Sequence, residues 1–258
     1  MLNISDDAGR AAHFAGALQM GDNGLILSHR LTQWVGNAHA VEEDIALANI
    51  ALDLLGQARA WLSLAGQIEG RGRDEDALAF FRGEEDFRHF LLTEQPNGDF
   101  AGTMMRQFLF DARQLALLEK MVDSTNADFA AIAAKTLKET RYHIRHSALW
   151  VRRLAGGGSE SRRRINNALS ACLPYCDEMF GRDKNGDWLA AAGVMPRADK
   201  LRPFWRQNVG AVFMGAGLPL PATEEKSRDQ TAPRPREHLS RILAELQYLP
   251  RQYPQAKW

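Results

Sequence analysis

Apolar residues recur every three to four positions over residues 41–68, a stretch that contains no proline and no turn cluster. One apolar row consists of Leu47, Ala51, Leu54, Ala58, Trp61, Ala65 and Ile68. A second row consists of Val41, Ile45, Ala48, Leu52 and Leu55. Because this spacing is typical of helix faces that pack on other helices, the stretch predicts one long helix that neighbours cover on most sides. We expect Gly56, on the narrow remaining face, to lie where another group approaches closely.

The same periodicity predicts further helices, which glycine, proline and asparagine separate. The other long helices are predicted at residues 8–35, 99–123 and 126–155, and two short ones at 75–82 and 84–93. Beyond the glycines at 156–158, helices are predicted at 161–180, 198–214 and 237–252. No segment alternates with the period of two that is typical of strands.

These elements together predict an all-α fold. Its core is a four-helix bundle over residues 8–155, with a short helical insert between the second and third long helices and a C-terminal helical extension over 161–252. We expect residues 1–258 to form a single domain in which the polar, proline-containing loop 222–236 is mobile. The Gly21-Asp22-Asn23-Gly24 segment predicts a kink or a close helix crossing in the first helix, since each glycine costs about 1 kcal/mol in a helix interior.

Charge and cysteine content narrow the class of protein. Lys plus Arg and Asp plus Glu both number 32, so the net charge is zero, with no general attraction to nucleic acid or to an anionic membrane. A chain without net charge also associates readily, which favours a role in a complex. The N-terminus lacks the order of a signal peptide and no apolar run could span a membrane, so we expect a cytoplasmic protein. Cys172 and Cys176 are not spaced like zinc or haem ligands and are interpreted as core thiols.

A long helical bundle is also the scaffold of di-iron carboxylate proteins, which use a Glu from each of two helices and Glu-x-x-His from each of the other two. That spacing brings both side chains to one helix face and one metal pair. The best candidate ligands here are Asp53, Asp111, Glu139 and His143. Three residues after Asp53 the sequence has Gly56, so the histidine position there is empty. Three residues after Glu139 it has Tyr142, and His143 comes one position late.

Two interpretations of these candidates stay open at this point. In the first, they form a vestigial site of buried hydrogen bonds and ion pairs, with Arg59 or Arg141 as a counter-charge. In the second, they bind a metal pair, although the other polar residues available on the first and third long helices are Asp22, His29 and Gln107. The incomplete ligand set favours the first interpretation. A two-ligand site at His143 and His146 and a phosphate site at the arginine run 162–164 are weaker hypotheses, since exposed histidines and solvated charge runs are commoner.

Five further signals lie in order between residues 21 and 251: GDNGLILSHRLTQWVG, EEDIALANIALDLLGQAR, LLTEQPNGDFAGTMMRQF, AAKTLKETRYHIRHS and EHLSRILAELQYLPR. They resemble the C subunits of bacterial phenylacetyl-CoA 1,2-epoxidases, also called phenylacetate-CoA oxygenases, which belong to the ferritin-like proteins. The similarity covers most of the chain and is weakest over residues 159–236.

The resemblance implies a structural subunit without a metal centre or other cofactor of its own. It implies a homologous catalytic A subunit as partner, which carries the di-iron centre, and further oxygenase subunits that include a reductase. The implied reaction is epoxidation of the aromatic ring of phenylacetyl-CoA with O2 and electrons from NADPH, in phenylacetate catabolism. We also expect the isolated chain to be capable of forming a homo-oligomer. The alternative is a free-standing di-metal oxidase or oxygenase that uses Asp53, Asp111, Glu139 and His143.

Overall fold

The computed structural model describes residues 7–220 and 238–256, and their regular secondary structure is entirely helical. The helices are α1 (Asp7–Thr32), α2 (Val41–Glu69), α3 (Glu75–Phe80), α4 (Leu91–Glu94), α5 (Phe100–Met121), α6 (Ala127–Gly156), α7 (Ser159–Cys172), α8 (Lys184–Ala191), α9 (Arg202–Ala216), α10 (Leu239–Leu246) and α11 (Tyr248–Gln252). The chain divides into two compact units, Met1–Pro96 with Arg234–Trp258 and Asn97–Pro233. The single domain over residues 1–258 stays a prediction, and the predicted loop 222–236 lies outside the described residues.

In the first unit, α1 and α2 pack against each other at a crossing that requires glycine. A methyl group at Gly21 would lie 2.8 Å from the Leu62 side chain, and one at Gly24 would lie 2.9 Å from the Leu54 carbonyl oxygen. Both distances are too short for a carbon contact, so a side chain at either position would push the helices apart. Helix α1 continues through this segment without interruption. The close crossing predicted from the paired glycines is therefore confirmed.

The two apolar rows of α2 differ in their surroundings. Every member of the first row, from Leu47 to Ile68, is at most 5% exposed. In the second row, four side chains remain open to solvent: Val41 is 72% exposed, Ile45 56%, Leu52 63% and Leu55 45%. No described atom lies within 4 Å of the place where a Gly56 side chain would begin. The predictions that neighbours cover this row and that Gly56 is closely approached are thus wrong for the chain by itself, because periodicity shows which residues share a face but not which molecule covers it.

In the second unit, α5 and α6 form the long hairpin, and α7 and α9 pack on it. Asp99 caps α5 by accepting a hydrogen bond from the Gly102 N–H at 2.9 Å, which satisfies a donor that the helix leaves unpaired. Asn126 caps α6 in the same way. Trp205 of α9 donates its indole N–H to the Leu109 carbonyl oxygen of α5 at 2.9 Å, and this buried bond positions α9 on the hairpin.

The C-terminal extension departs most from the predicted elements. The predicted helix 161–180 becomes α7, which ends at Cys172, and two 3-10 turns that follow it. Pro174 occupies the start of the first turn, where a continuing α-helix would need the N–H that proline lacks. Helix α8 was not predicted, and the described part of the predicted helix 237–252 consists of α10 and α11 rather than one helix.

Candidate functional site

Asp111 occupies the centre of a buried polar cluster between α5 and α6 in the second unit. Its side chain is 1% exposed, and its Oδ1 accepts a hydrogen bond from Gln107 Nε2 at 2.8 Å. Its Oδ2 accepts a hydrogen bond from Ser147 Oγ at 3.2 Å. His143 is also 1% exposed and lies one turn before Ser147 on α6. The prediction that Asp111 is buried against a cation or a donor, with His143 or an arginine favoured, is confirmed in its burial. Its hydrogen-bond donors are Gln107 and Ser147, and His143 acts on it only as a nearby charge.

The electrostatics of this cluster are dominated by burial. Exclusion of water raises the pKa of Asp111 to about 7, because the ionised carboxylate loses its solvation. The nearby His143 and the hydrogen bonds from Gln107 and Ser147 act in the opposite direction and lower this pKa. Gln107 Oε1 is buried and has no hydrogen-bond partner among the described residues. The cluster therefore holds one carboxyl group that keeps its proton up to about neutral pH.

The other predicted candidates do not complete a ligand set around Asp111. Glu139 lies one turn before His143 on α6 and is partly exposed. Asp53 is partly exposed on α2 in the first unit. No group of three or more His, Cys, Asp or Glu side chains within residues 7–220 and 238–256 is arranged to hold a metal ion. With a glycine three residues after Asp53 and no Glu-x-x-His on α6, these residues do not fit a di-iron centre; their assignment to a vestigial site stays a prediction.

The predicted counter-charges lie elsewhere. Arg59 donates from Nε to Glu75 at 3.0 Å, and Arg141 lies 3.6 Å from Glu119, so neither arginine serves the Asp111 cluster. Long, exposed arginines find partners on their own surface, whereas the Asp111 carboxylate accepts its hydrogen bonds from the neutral side chains of Gln107 and Ser147.

A second buried carboxylate, Asp22 of α1, forms an ion pair with Arg82 in the first unit. The two side chains are at most 1% exposed. Asp22 Oδ2 also accepts a hydrogen bond from the Arg88 backbone N–H at 2.8 Å, and Arg82 donates to the Asp86 carbonyl oxygen at 3.1 Å. A buried ion pair of this kind is tolerable because the remaining lone pairs and protons are satisfied. Asp22 thus holds the insert, the segment that lies between α2 and α5 in the chain, against α1.

Neighbouring polar residues of α1 extend the same contact. Asn23 Oδ1 accepts from the Phe90 N–H at 2.9 Å, and Arg30 Nε donates to the Glu94 carbonyl oxygen at 3.0 Å. The Glu94 carboxylate in turn lies 2.7 Å from His89 Nε2. The inward polar groups of α1 are therefore used to hold the insert. This role of Arg82 was not predicted from the sequence. The pattern that could have indicated it is a charged residue in an otherwise aromatic stretch, together with Asp22, a lone carboxylate in an apolar part of α1.

Two further candidates behave as expected from the sequence. Cys172 and Cys176 are buried, and desolvation raises the pKa of the Cys172 thiol to about 11 and that of the Cys176 thiol well above its usual value. Such thiols are poor nucleophiles and fit a core role. In the arginine run, Arg163 and Arg164 form surface ion pairs with Glu160 at 2.7 and 2.8 Å. They are a solvated charge run rather than a phosphate site.

Comparison with known proteins decides the family. The sequence model of the phenylacetic acid catabolic proteins, PaaA_PaaC, matches residues 3–258. The chain belongs to this family. It is also 42% identical over 241 residues to the C subunit of the 1,2-phenylacetyl-CoA epoxidase of Escherichia coli (strain K12), across 93% of this chain and 97% of that protein.

Membership of the phenylacetic acid catabolic protein family confirms the resemblance and the all-α, ferritin-like fold class predicted from the sequence. The Escherichia coli relative is by its name one subunit of an epoxidase. No helix formed by the described residues is long and apolar enough to cross a membrane.

Proposed function

We propose that this chain is the structural, non-catalytic subunit of a multicomponent oxygenase that epoxidises the aromatic ring of phenylacetyl-CoA in phenylacetate catabolism. The likeness to the C subunit of an epoxidase along nearly the whole chain carries the proposal. The donor set supports it, because Asp111 is bonded to Gln107 and Ser147 and the position three after Asp53 is a glycine. A cytoplasmic location remains part of the proposal.

The catalytic partner is a homologous A subunit, whose di-iron centre would supply O2 activation, with electrons from NADPH delivered through a reductase. The role of the present chain is to hold a rigid helical surface for that partner. Its own residues support such a role: the Asp22–Arg82 ion pair anchors the insert on α1, and the Trp205 hydrogen bond anchors α9 on α5. Buried, fully bonded polar groups of this kind help to specify one packing arrangement.

Reconstitution of the multicomponent enzyme with and without this chain tests the proposal. We expect no epoxidation by the chain alone when it is supplied with iron, reductase and NADPH, and we expect loss of turnover when it is left out of the complete mixture. A matched control is the Cys172→Ser variant, which changes a buried thiol far in sequence from every candidate ligand and should support turnover once folded. Full turnover without the chain would refute the structural role.

Iron analysis separates this proposal from a free-standing di-metal oxidase. We expect the purified chain to contain far less than one iron per chain, because its four candidate ligands are one histidine and one carboxylate short of the six that a di-iron centre uses. Two irons per chain that are lost in the Glu139→Ala variant, together with turnover in the absence of the A subunit, would establish the oxidase instead.

A further inference from the structure

A cleft lies along helix α9 in the second unit. The helix ends at Gly217, where a φ of 62° turns the chain back on itself. The Leu218 N–H donates to the Phe213 carbonyl oxygen at 2.9 Å, which fixes the turn to the helix. Arg162 donates to the Gly217 carbonyl oxygen at 2.8 Å and holds the other side of the turn. We call the space between α9 and residues 217–220 the α9 cleft; its volume is about 550 Å³, within the range of small-molecule sites.

The walls of the α9 cleft are mainly apolar. Trp205 and Val209 are fully buried and form its floor, and Leu218 is also buried. Leu220 is 62% exposed and forms an edge that is open to solvent. A methyl group at Gly210 would lie 3.2 Å from Leu220 Cδ2, so the absence of a side chain there keeps the cleft open. An alkyl or aryl group that enters the cleft would therefore leave water for an apolar surface, which the hydrophobic effect favours.

One end of the α9 cleft is cationic. Of the described residues that line the cleft, Arg206 alone is charged. Arg202, one turn earlier, pairs with Asp177 at 2.7 Å, whereas no carboxylate of the described residues pairs with Arg206. A guanidinium in this position can donate two parallel hydrogen bonds to a carboxylate. Arg206 and Met214 lie on the same side of α9, eight residues or about 12 Å apart, so the cleft has a cationic end and an apolar end.

We propose that the α9 cleft binds a small amphiphilic carboxylate. Its body, an alkyl chain of about eight carbons or an aryl group on a short chain, lies against Trp205 and Val209 and matches the length of the cleft. Its carboxylate accepts hydrogen bonds from the Arg206 guanidinium. A neutral amphiphile would leave this cation without a partner, and a cationic one would be repelled by it. The inference is independent of the proposed epoxidase role, since it uses only residues of α9 and of the turn that follows it.

The first test compares three ligands of equal length on the intact chain by titration calorimetry: octanoate, octanamide and octylamine. We expect octanoate to bind with a Kd of about 1 mM or below, octanamide about tenfold more weakly, and octylamine more weakly still. Arg206→Gln should reduce the affinity for octanoate to that for octanamide, because only the charged group is lost. The matched control is Lys138→Gln, at an exposed cation of α6, which should leave both affinities unchanged.

A second pair of variants tests the apolar part of the cleft. Gly210→Leu places a side chain in the space beside Leu220, and it should abolish the binding of octanoate and octanamide alike. The matched control is Gly215→Leu on the same helix, where an added side chain meets no described atom within 4 Å, and it should leave both affinities unchanged. Circular dichroism on every variant confirms that each one is folded.

Oxidation of Met214 locates the bound ligand. This methionine lines the cleft and is 79% exposed, so dilute hydrogen peroxide should convert its thioether to the sulfoxide, with one peroxide oxygen passing to sulfur and the other leaving as water. Saturating octanoate should slow this oxidation severalfold, as measured by mass spectrometry of the peptides. The internal control is Met195, which is partly exposed and does not line the cleft, and its oxidation rate should not change.

Three results would overturn the proposal. The first is that octanoate does not bind, or binds no better than octanamide. The second is that Arg206→Gln and Gly210→Leu leave its affinity unchanged. The third is binding without protection of Met214, which would place the ligand elsewhere on the chain. None of these results bears on the reconstitution and iron analysis that test the proposed function.

Discussion

At the scale of single residues, Asp111 is the most informative position. Burial raises its pKa from 3.8 to about 7, so between these values the folded state binds more protons than the unfolded state. The free energy of unfolding must then fall as pH rises from about 4 to about 7. At higher pH the folded protein carries a buried ionised carboxylate at a constant cost.

Asp111→Asn removes this pH dependence. The variant should gain stability relative to the wild type as pH rises from about 5 to 8, by an amount on the order of a few kcal/mol. The side-chain amide of the asparagine can donate a hydrogen bond to Gln107 Oε1, which has no partner among the described residues. Urea unfolding at both pH values measures the effect, and Asp123→Asn, at an exposed aspartate, is the control. Parallel pH profiles for wild type and Asp111→Asn would contradict the prediction.

Sequence pattern located Asp111 but not its environment. A carboxylate in an apolar helical row, between Phe108 and Leu118, predicts burial with a partner, and the structure agrees. The identity of the partner could not follow from the pattern, since Ser147 lies on another helix and many short polar side chains could have faced Asp111. His143 or an arginine was expected because charge favours opposite charge. The carboxylate instead accepts hydrogen bonds from two neutral side chains, with His143 near enough to lower its pKa.

At the scale of elements, replacing glycine by alanine should change stability in opposite directions at Gly24 on α1 and Gly56 on α2. Gly24→Ala brings a methyl group 2.9 Å from the Leu54 carbonyl oxygen, so α1 and α2 must separate, at a cost of roughly 1–3 kcal/mol. Gly56→Ala meets nothing within 4 Å and should stabilise α2 by up to about 1 kcal/mol through helix propensity. Thermal unfolding at low protein concentration measures both. A stabilised Gly24→Ala variant would show that the crossing is looser than described.

The insert should depend on its buried ion pair. Asp22→Ala leaves the Arg82 guanidinium buried without a counter-charge and removes the acceptor of the Arg88 N–H, a loss of about 3–5 kcal/mol. Replacing both partners, Asp22→Leu with Arg82→Met, should cost less than Asp22→Ala alone, because no charge is stranded. Arg59→Met breaks an exposed pair and should cost at most about 1 kcal/mol. Urea unfolding measures the free energy of unfolding of all three variants. Equal losses would contradict the prediction that the buried pair matters more than the exposed one.

Helices were predicted correctly where the apolar periodicity and the residues at the helix ends indicate the same bounds. The stretch 41–68 was predicted as one helix and α2 spans Val41–Glu69, while Asn126 stands at the predicted start of α6 and caps it. Prediction failed where short segments depend on contacts made by the rest of the fold. Helix α8 is only eight residues long, and its first turn is set by Asp183, which accepts a hydrogen bond from the Gly186 N–H at 2.7 Å. Such a helix is too short to be stable through its own periodicity.

At the scale of the whole molecule, net charge and local charge lead to different expectations for complex formation. The chain is neutral overall, yet the exposed face of α6 carries Lys135, Lys138, Arg145 and Arg152. A partner held by this face would be released by salt, since exposed charges are screened within about 10 Å at 0.1 M. A partner held by apolar helix faces would not be released. The effect of salt on binding therefore distinguishes a partner held by the basic face of α6 from one held by apolar helix faces.

We expect the complex with the di-iron A subunit to resist salt. In the proposed complex, exposed apolar side chains such as Leu52 and Leu55 would contribute through the hydrophobic effect, which salt does not weaken. The dissociation constant should change by less than about tenfold between 0.1 and 1 M sodium chloride, as measured by titration calorimetry. Reversing charge on α6 with Lys138→Glu and Arg145→Glu should leave it within the same range. A complex that dissociates at 1 M salt and is weakened by those substitutions would instead place the partner on the basic face of α6, and would show that local charge, rather than the neutral total, governs assembly.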